Sequence, residues 1–230
     1  YIFGCGPSIN QFNIFEDGIF IGCNDIILHP DIKNKLKYYF FGDGYNYTGN
    51  SSTVLKYNTN QTCKERIDDV INHTNITTFC SAFMNNRLFH NFSQKQVDEL
   101  YNKKVYIINL TRDIENLKPD IDETIMDHSV IFTCLHFALY CGFSKIYIVG
   151  CDCSSKNGSS YFFLNKSNIS NIPKITKNVN LNLTQYSATD ILPDIWKKMK
   201  TFKDIHFPNT KLISINPVKL KGLLDDDLYT

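Results

Sequence analysis

Short apolar runs recur along the chain, and most of them close on glycine, asparagine or aspartate. Residues 1–3, 18–23 (GIFIGC), 36–41 (LKYYFF), 76–83, 105–110 (VYIINL), 145–149 (KIYIV) and 211–215 (KLISI) have the length and the β-branched and aromatic content of buried strands. Residues 130–140 (VIFTCLHFALY) are apolar almost all round, which predicts a buried helix, and Gly142 supplies its C-terminal cap. Ile191, Ile195, Trp196, Met199 and Phe202 recur at helical spacing and predict an amphipathic helix over 190–202. Shorter helices are expected over 64–72 and 94–101, and a polar surface loop over 44–62. Strands alternating with helices predict an α/β fold: a Rossmann-like, mostly parallel sheet flanked by helices.

The rhythm breaks between residues 153 and 190. Ser154 to Tyr161 are polar, and an Asn- and Lys-rich stretch follows without clear periodicity. A run this long inside a compact domain reads as a lid. The expected organisation is therefore one α/β domain, 1–152 plus 191–230, with a small lid insertion over 153–190. The chain opens inside a strand without an initiating methionine, as expected of one domain of a longer protein. A signal peptide or membrane anchor upstream would then lie outside it.

Composition narrows the classes. A chain of 230 residues, 43% of them hydrophobic, has room for a full core. Its net charge of +1 gives no general surface for nucleic acid. No stretch is long and apolar enough to span a bilayer. The eight cysteines have no regular spacing and sit mostly in strand or helix contexts. They read as buried free thiols of a reducing compartment, so the expected location is the cytoplasm, with the membrane surface as an alternative. Asn-x-Ser/Thr sequons, as at Asn46, Asn72 and Asn165, arise by chance in so Asn-rich a chain and do not establish secretion.

The candidate chemistry gathers at strand ends. Residues 1–8 (YIFGCGPS) read as a strand, a glycine turn at Gly4-Cys5-Gly6-Pro7, and Ser8 capping a helical turn. Such a turn leaves backbone N–H groups aimed at one spot, which suits a phosphate or a nucleotide sugar. The alternative is a tight turn with no ligand. Asn24-Asp25, Asp43 and Gly150-Cys151-Asp152 also stand at carboxyl ends of strands, where open α/β sheets bind ligands. Ser129 heads the buried helix, and His136 in its middle reads as a satisfied core histidine. Asp120-Ile121-Asp122 fits the D-x-D pattern of metal-dependent glycosyltransferases, but in so charged a stretch it reads as a solvated face.

Taken in order, three blocks resemble the bacterial sialyltransferases that act on lipooligosaccharide. They are Gly4-Cys5-Gly6-Pro7-Ser8, the helix–strand unit ending Gly150-Cys151-Asp152, and Asn157-Gly158-Ser159-Ser160-Tyr161-Phe162-Phe163. Thr189-Asp190-Ile191 and residues 212–217 add weaker blocks, so the resemblance covers nearly the whole chain. It implies a GT-A-like sialyltransferase variant of the Rossmann-like fold with a small lid. It also implies metal-independent, inverting transfer from CMP-sialic acid, with no cofactor beyond the CMP-sugar donor and a glycan or glycolipid as acceptor. The resemblance places Gly4, Gly6, Pro7, Ser8, Asn24, Gly150, Asp152 and Ser160 around the nucleotide, with Cys5, Asp25, Ser129 and Cys151 beside them. Tyr161 matches a lid tyrosine that hydrogen-bonds the departing phosphate.

The chain departs from that pattern at several points. Cys5 replaces the asparagine between the glycines, and Asp25 replaces a glutamine. The second lid tyrosine falls in Ser154-Ser155, and the arginine before the Ser129 helix falls at Met126-Asp127. The lid has no histidine to serve as general base. Tyr186, beside Gln185, takes its place, and a phenol of ordinary pKa ~10 is a poor base unless a cation acidifies it. Asp43 and His128 are the other candidate bases. The glycine turn also resembles the MptE-like pterin diphosphokinase family, which would need Mg²⁺ held by Asp25, Asp43 and Asp152. A transferase that has lost catalysis and only binds a nucleotide or glycan is the non-enzymatic alternative. A homo-oligomer and peripheral membrane association through segments outside the chain are left open.

Overall fold

The computed structural model describes residues 1–13, 17–41, 76–83, 101–153 and 181–230, together with the single positions 68, 72, 95 and 98. Nine strands appear among them: β1 (Ile2–Phe3), β2 (Phe20–Cys23), β3 (Leu36–Phe41), β4 (Thr77–Phe83), β5 (Val105–Thr111), β6 (Thr124–Ile125), β7 (Lys145–Val149), β8 (Lys211–Ile215) and β9 (Asp226–Leu228). The helices are α1 (Pro30–Lys33), α2 (Ile131–Tyr140) and α3 (Leu181–His206), with 3-10 turns at Pro7–Gln11 and Asn24–Leu28. All the strands join one parallel sheet in the order β6-β5-β4-β3-β2-β1-β7-β8-β9. The chain is thus an α/β fold with a Rossmann-like parallel sheet.

A parallel sheet covered on both faces needs apolar residues at every strand position, and the strands here alternate between two cores. Ile2, Ile21, Phe40, Ile146, Ile148 and Leu212 face one layer with α2 and α3. Phe3, Phe20, Tyr39, Phe41, Val149 and Ile215 face the other, with Ile9, Ile26 and Ile32 from the short connections. On the first face Ile195, Trp196, Met199 and Phe202 of α3 are buried, and the Trp196 ring meets Phe132 edge-on at 5.1 Å. The α2 helix stops at Gly142, whose φ of +76° a side chain would resist and whose amide bonds the Leu139 carbonyl. No helix of the described residues is long and apolar enough to cross a membrane.

The structure departs from the expectations in four places. The helix expected over 190–202 begins at Leu181, so the last ten residues of the 153–190 segment belong to α3. Residues 181–190 carry Asn, Ser and Thr at positions where an amphipathic helix would show apolar residues, so no periodicity marks them. The strands β6 and β9 are also additions; both are short, and β9 is acidic. Cys141 is exposed rather than buried, although Cys23, Cys134 and Cys153 are buried and free. His136 is fully buried but not satisfied: neither ring nitrogen completes a hydrogen bond among the described residues, and the Lys118 backbone is close enough only to act on its charge. The helices expected over 64–72 and 94–101 and the loop over 44–62 fall largely outside the described residues.

One ion cluster ties α3 to the β8–β9 side. Lys203 Nζ lies 2.8 Å from Asp225 Oδ2 and 2.9 Å from Asp204 Oδ1, and Lys200 pairs with the same two carboxylates. The Leu212 amide donates to Asp225 as well. Burial alone would raise the Asp225 carboxyl, but that amide and the two lysines outweigh it and hold it at about 2. Burial drives His136 the other way from its usual value, down to about 4, against weaker opposing pulls from the Lys118 backbone and Asp120.

Both shifts make the unfolded chain bind protons more readily than the folded one. Stability owed to neutral His136 is complete above pH 6.5 and is lost as pH falls toward 4, by roughly 3 kcal/mol. Stability owed to Asp225 is complete above pH 3.8 and is lost as pH falls toward 2. Urea titrations at stepped pH should therefore show two acid losses. His136→Phe should flatten the upper one and Asp225→Asn the lower; a single slope untouched by His136→Phe would refute the assignment.

Candidate functional site

The strand order reverses direction between β1 and β7. From β1 the chain builds outward through β2 to β6, then returns to place β7 on the other side of β1. Such a switch opens a crevice at the carboxyl ends of the two strands, because their connections leave in opposite directions. Phe3 lies opposite Val149, so the turns that follow β1 and β7 emerge side by side. Those turns are Gly4-Cys5-Gly6-Pro7-Ser8 and Gly150-Cys151-Asp152. Asn24-Asp25 follow β2 on the adjacent side. Blocks nearly 150 residues apart in sequence thus share one crevice.

The two turns are locked together. The Gly4 amide donates to the Val149 carbonyl at 2.8 Å and the Gly6 amide to the Gly150 carbonyl at 2.7 Å. The Ser8 amide donates to Asp152 Oδ2 at 2.9 Å. This corrects the expectation of free N–H groups converging on a ligand: at Gly4, Gly6 and Ser8 the chain already satisfies them. Both glycines are explained by close approach. A Cβ on Gly4 would sit 2.5 Å from the Gly150 carbonyl oxygen, and one on Gly6 would sit 2.8 Å from the Asp152 carboxylate. Ser8 is not the helix cap either, since the 3-10 turn starts at Pro7 and Gly6 precedes it without a side-chain cap bond. The Ser8 side chain is buried to 6% exposure, and its hydroxyl has no partner.

The carboxyl ends of neighbouring strands turn sharply. Asn24 after β2, Gly150 after β7 and Asn216 after β8 have φ of +48°, +67° and +47°. Glycine and asparagine are the residues that tolerate this region. The Asn24 carbonyl accepts from the Tyr39 hydroxyl at 2.8 Å, which fixes that loop from β3. The Asn216 side chain donates to Thr230 and meets the Gln11 carbonyl at 3.5 Å, joining the β8 end to the first 3-10 turn. Tyr39 and Lys219 are contributors that the residue pattern did not single out. The Lys219 amide donates to the Asp152 carbonyl, and its charge acts on the nearby Cys153 thiol.

Thiols line the same strand ends. Cys23 packs on Cys134, and that contact together with burial pushes its pKa well up. Burial does the same to Cys151 and raises Cys153 to about 12. These thiols stay protonated at neutral pH, so none of the three is a nucleophile. Cys5 Sγ lies 3.6 Å from the Cys23 carbonyl.

The remaining candidate residues lie apart from one another. Ser129 stands just ahead of α2, and its hydroxyl accepts from the Ile131 amide at 3.4 Å. His128 is half-exposed, has φ of +60° and lies 3.3 Å from Asp127 Oδ1. Both head α2 rather than joining the bonded turns. Tyr186 falls in the second turn of α3. Asp43, Ser160 and Tyr161 lie outside the described residues. Among the described residues no group of three His, Cys, Asp or Glu side chains is placed to hold a metal ion. Asp120-Ile121-Asp122 is a turn on the surface, with the Asp122 amide donating to Asp120 Oδ1.

Overpacking at the lock should be visible in stability. Gly6→Ala drives a methyl group into the Gly150 carbonyl and the Asp152 carboxylate, and such strain costs about 1–3 kcal/mol. Chemical denaturation of this variant should show that loss. A wild-type midpoint would mean that the two turns are not packed as described.

No protein-family model matches the chain, and neither a curated protein nor a solved structure is similar to it.

Proposed function

We propose that the β1/β7 crevice binds the nucleotide of a CMP-activated ulosonic sugar, such as sialic acid or Kdo, and that the chain transfers the sugar to a glycan hydroxyl. The supporting observation is the meeting of Gly4–Ser8, Asn24-Asp25 and Gly150–Asp152 at the point where the sheet reverses direction. The Ser8 hydroxyl, buried and without a partner among the described residues, is the proposed donor once a ligand opens the crevice. In this reading the acceptor oxygen attacks the anomeric carbon while the bond to the phosphate oxygen breaks. CMP leaves with the electron pair, the acceptor proton passes to a base, and the configuration inverts. Tyr161 donates to the leaving phosphate, a preorganised role. Tyr186, Asp43 and His128 are the proposed bases.

The bonded turns favour a CMP-sugar over the diphosphokinase alternative. With the Gly4, Gly6 and Ser8 amides taken, the usual diphosphate cradle is filled by the chain's own carbonyls and by a carboxylate. Lys219 joins the crevice through its amide, which bonds the Asp152 carbonyl, and its charge acts on Cys153, while Met126-Asp127 stand where the resemblance expects an arginine just before the Ser129 helix. The binding-only alternative draws support from the absence of a histidine between residues 153 and 190.

A thermal-shift panel of CMP, CMP-sialic acid, CMP-Kdo, UDP-sugars and ATP in EDTA should single out the CMP compounds. Ligand at about 100 times its dissociation constant adds about 2.7 kcal/mol, a shift of several degrees. A response to ATP alone, or one that needs Mg²⁺, would reject the proposal. CMP binding with no transfer from any CMP-sugar would select the binding-only alternative.

Ser8→Ala separates ligand binding from folding. Removing an unpaired buried hydroxyl should leave stability unchanged or slightly higher. CMP affinity should fall about tenfold if that hydroxyl meets the nucleotide. Calorimetry showing wild-type affinity would remove Ser8 from the site.

A further inference from the structure

A second cleft lies on the β3–β5 side of the sheet, away from the β1/β7 crevice. It encloses about 330 Å³, within the range of small-ligand pockets. Its aromatic floor runs across three strands. Phe40 stacks on Phe79 with ring centroids 4.7 Å apart and planes 15° apart, and Tyr106 follows at 5.8 Å and 39°. Phe137 of α2 packs on Phe79 from the side at 5.2 Å. The platform emerges from the core at Tyr106, which is 45% exposed.

The polar groups of the cleft are Asn109, Asp122 and Thr124. Asn109 Nδ2 already donates to the Asp122 carbonyl, and the Thr124 hydroxyl donates to the Asn109 carbonyl. These commitments leave the lining with acceptors to offer: the Asn109 side-chain oxygen and the carboxylate of Asp122, which is exposed. The described lining includes no Lys, Arg or His. An anion or a phosphate finds nothing to pair with. A nucleobase, whose edge carries as many acceptors as donors, is only half matched.

A sugar ring fits both halves of the lining. One face of a pyranose presents C–H groups that lie flat on an aromatic ring, and its hydroxyls are donors. A compact cation is the competing occupant for aromatic and acidic groups, but it is held by rings standing around a point. Here the rings follow one another in a row across the strands, with Phe40 buried behind Phe79 and Tyr106 exposed at the outer end, and do not close around a point.

We propose that this cleft is a saccharide-binding site, in which a neutral sugar stacks on the Phe79–Tyr106 platform and donates hydroxyl hydrogen bonds to Asp122. The site stands independently of the nucleotide reading.

The test is saturation-transfer NMR on the intact chain with lactose and maltose at millimolar concentrations, and choline as the cationic control. Both sugars should give saturable signals from their ring protons. Tyr106→Ala should weaken binding about tenfold or more, Tyr106→Phe should keep it, and Asp122→Asn should weaken it. The thermal midpoint and the CMP response should stay at wild type in Tyr106→Ala, because that side chain lies at the exposed edge of the platform. Binding of neither sugar, binding indifferent to Tyr106→Ala, or binding of choline in place of the sugars would overturn the proposal.

Discussion

The hydrogen bond from the Ser8 amide to the Asp152 carboxylate fixes the geometry on which the crevice depends. It joins residues 144 apart in the chain. Beside it, the Gly4 and Gly6 amides bond the Val149 and Gly150 carbonyls. A charge-assisted bond of this kind is stronger than a neutral one. It also explains why Gly6 carries no side chain, since the carboxylate occupies the space a Cβ would take. The most distinctive turn in the sequence is therefore first a packing device. Its glycines let two backbones approach, and its amides are satisfied inside the protein.

This changes what the crevice offers a ligand. In a dinucleotide-binding turn, free amides and a helix N-terminus supply positive potential to a diphosphate. Here the first connection is a five-residue 3-10 turn, too short to build such a field. The Asp152 carboxylate takes the Ser8 amide instead, and the Asp152 carbonyl takes that of Lys219. Among the described residues the buried Ser8 hydroxyl has no partner.

The strands were legible because each is a run of apolar residues bounded by turn residues, and buried parallel strands carry that pattern most clearly. Residues 36–41, 145–149 and 211–215 coincide with β3, β7 and β8. The strands that escaped notice, β6 and β9, are two and three residues long, and β9 reads Asp-Asp-Leu. Their pairing comes from neighbours rather than from their own pattern. The start of α3 was hidden for a related reason, since its first ten residues show no apolar stripe. The crevice was legible as a set of strand ends, since glycine, asparagine and aspartate mark the places where strands stop. Whether the amides there were free was not legible: that depends on Asp152 arriving from the far end of the chain. His136 shows the same limit. Its apolar helical setting announced burial, but the lack of a partner is a property of the packed neighbours, Phe202 among them.

The groups of the lock are engaged in structure. Cys23, Cys151 and Cys153 hold their protons, because burial and neighbouring acidic groups oppose ionisation. Asp152 is committed to the Ser8 amide, in the bond that holds the two turns. His128 ahead of α2 and Tyr186 in the second turn of α3 stand outside that bond. Tyr186 belongs to the same continuous helix as Trp196 and Met199. A base carried on α3 would therefore be positioned by the core that packs Trp196 against Phe132, and not only by the residues that precede it. The bonded crevice is thus first a joint between the two halves of the sheet, with its amides and its carboxylate engaged in holding the chain together.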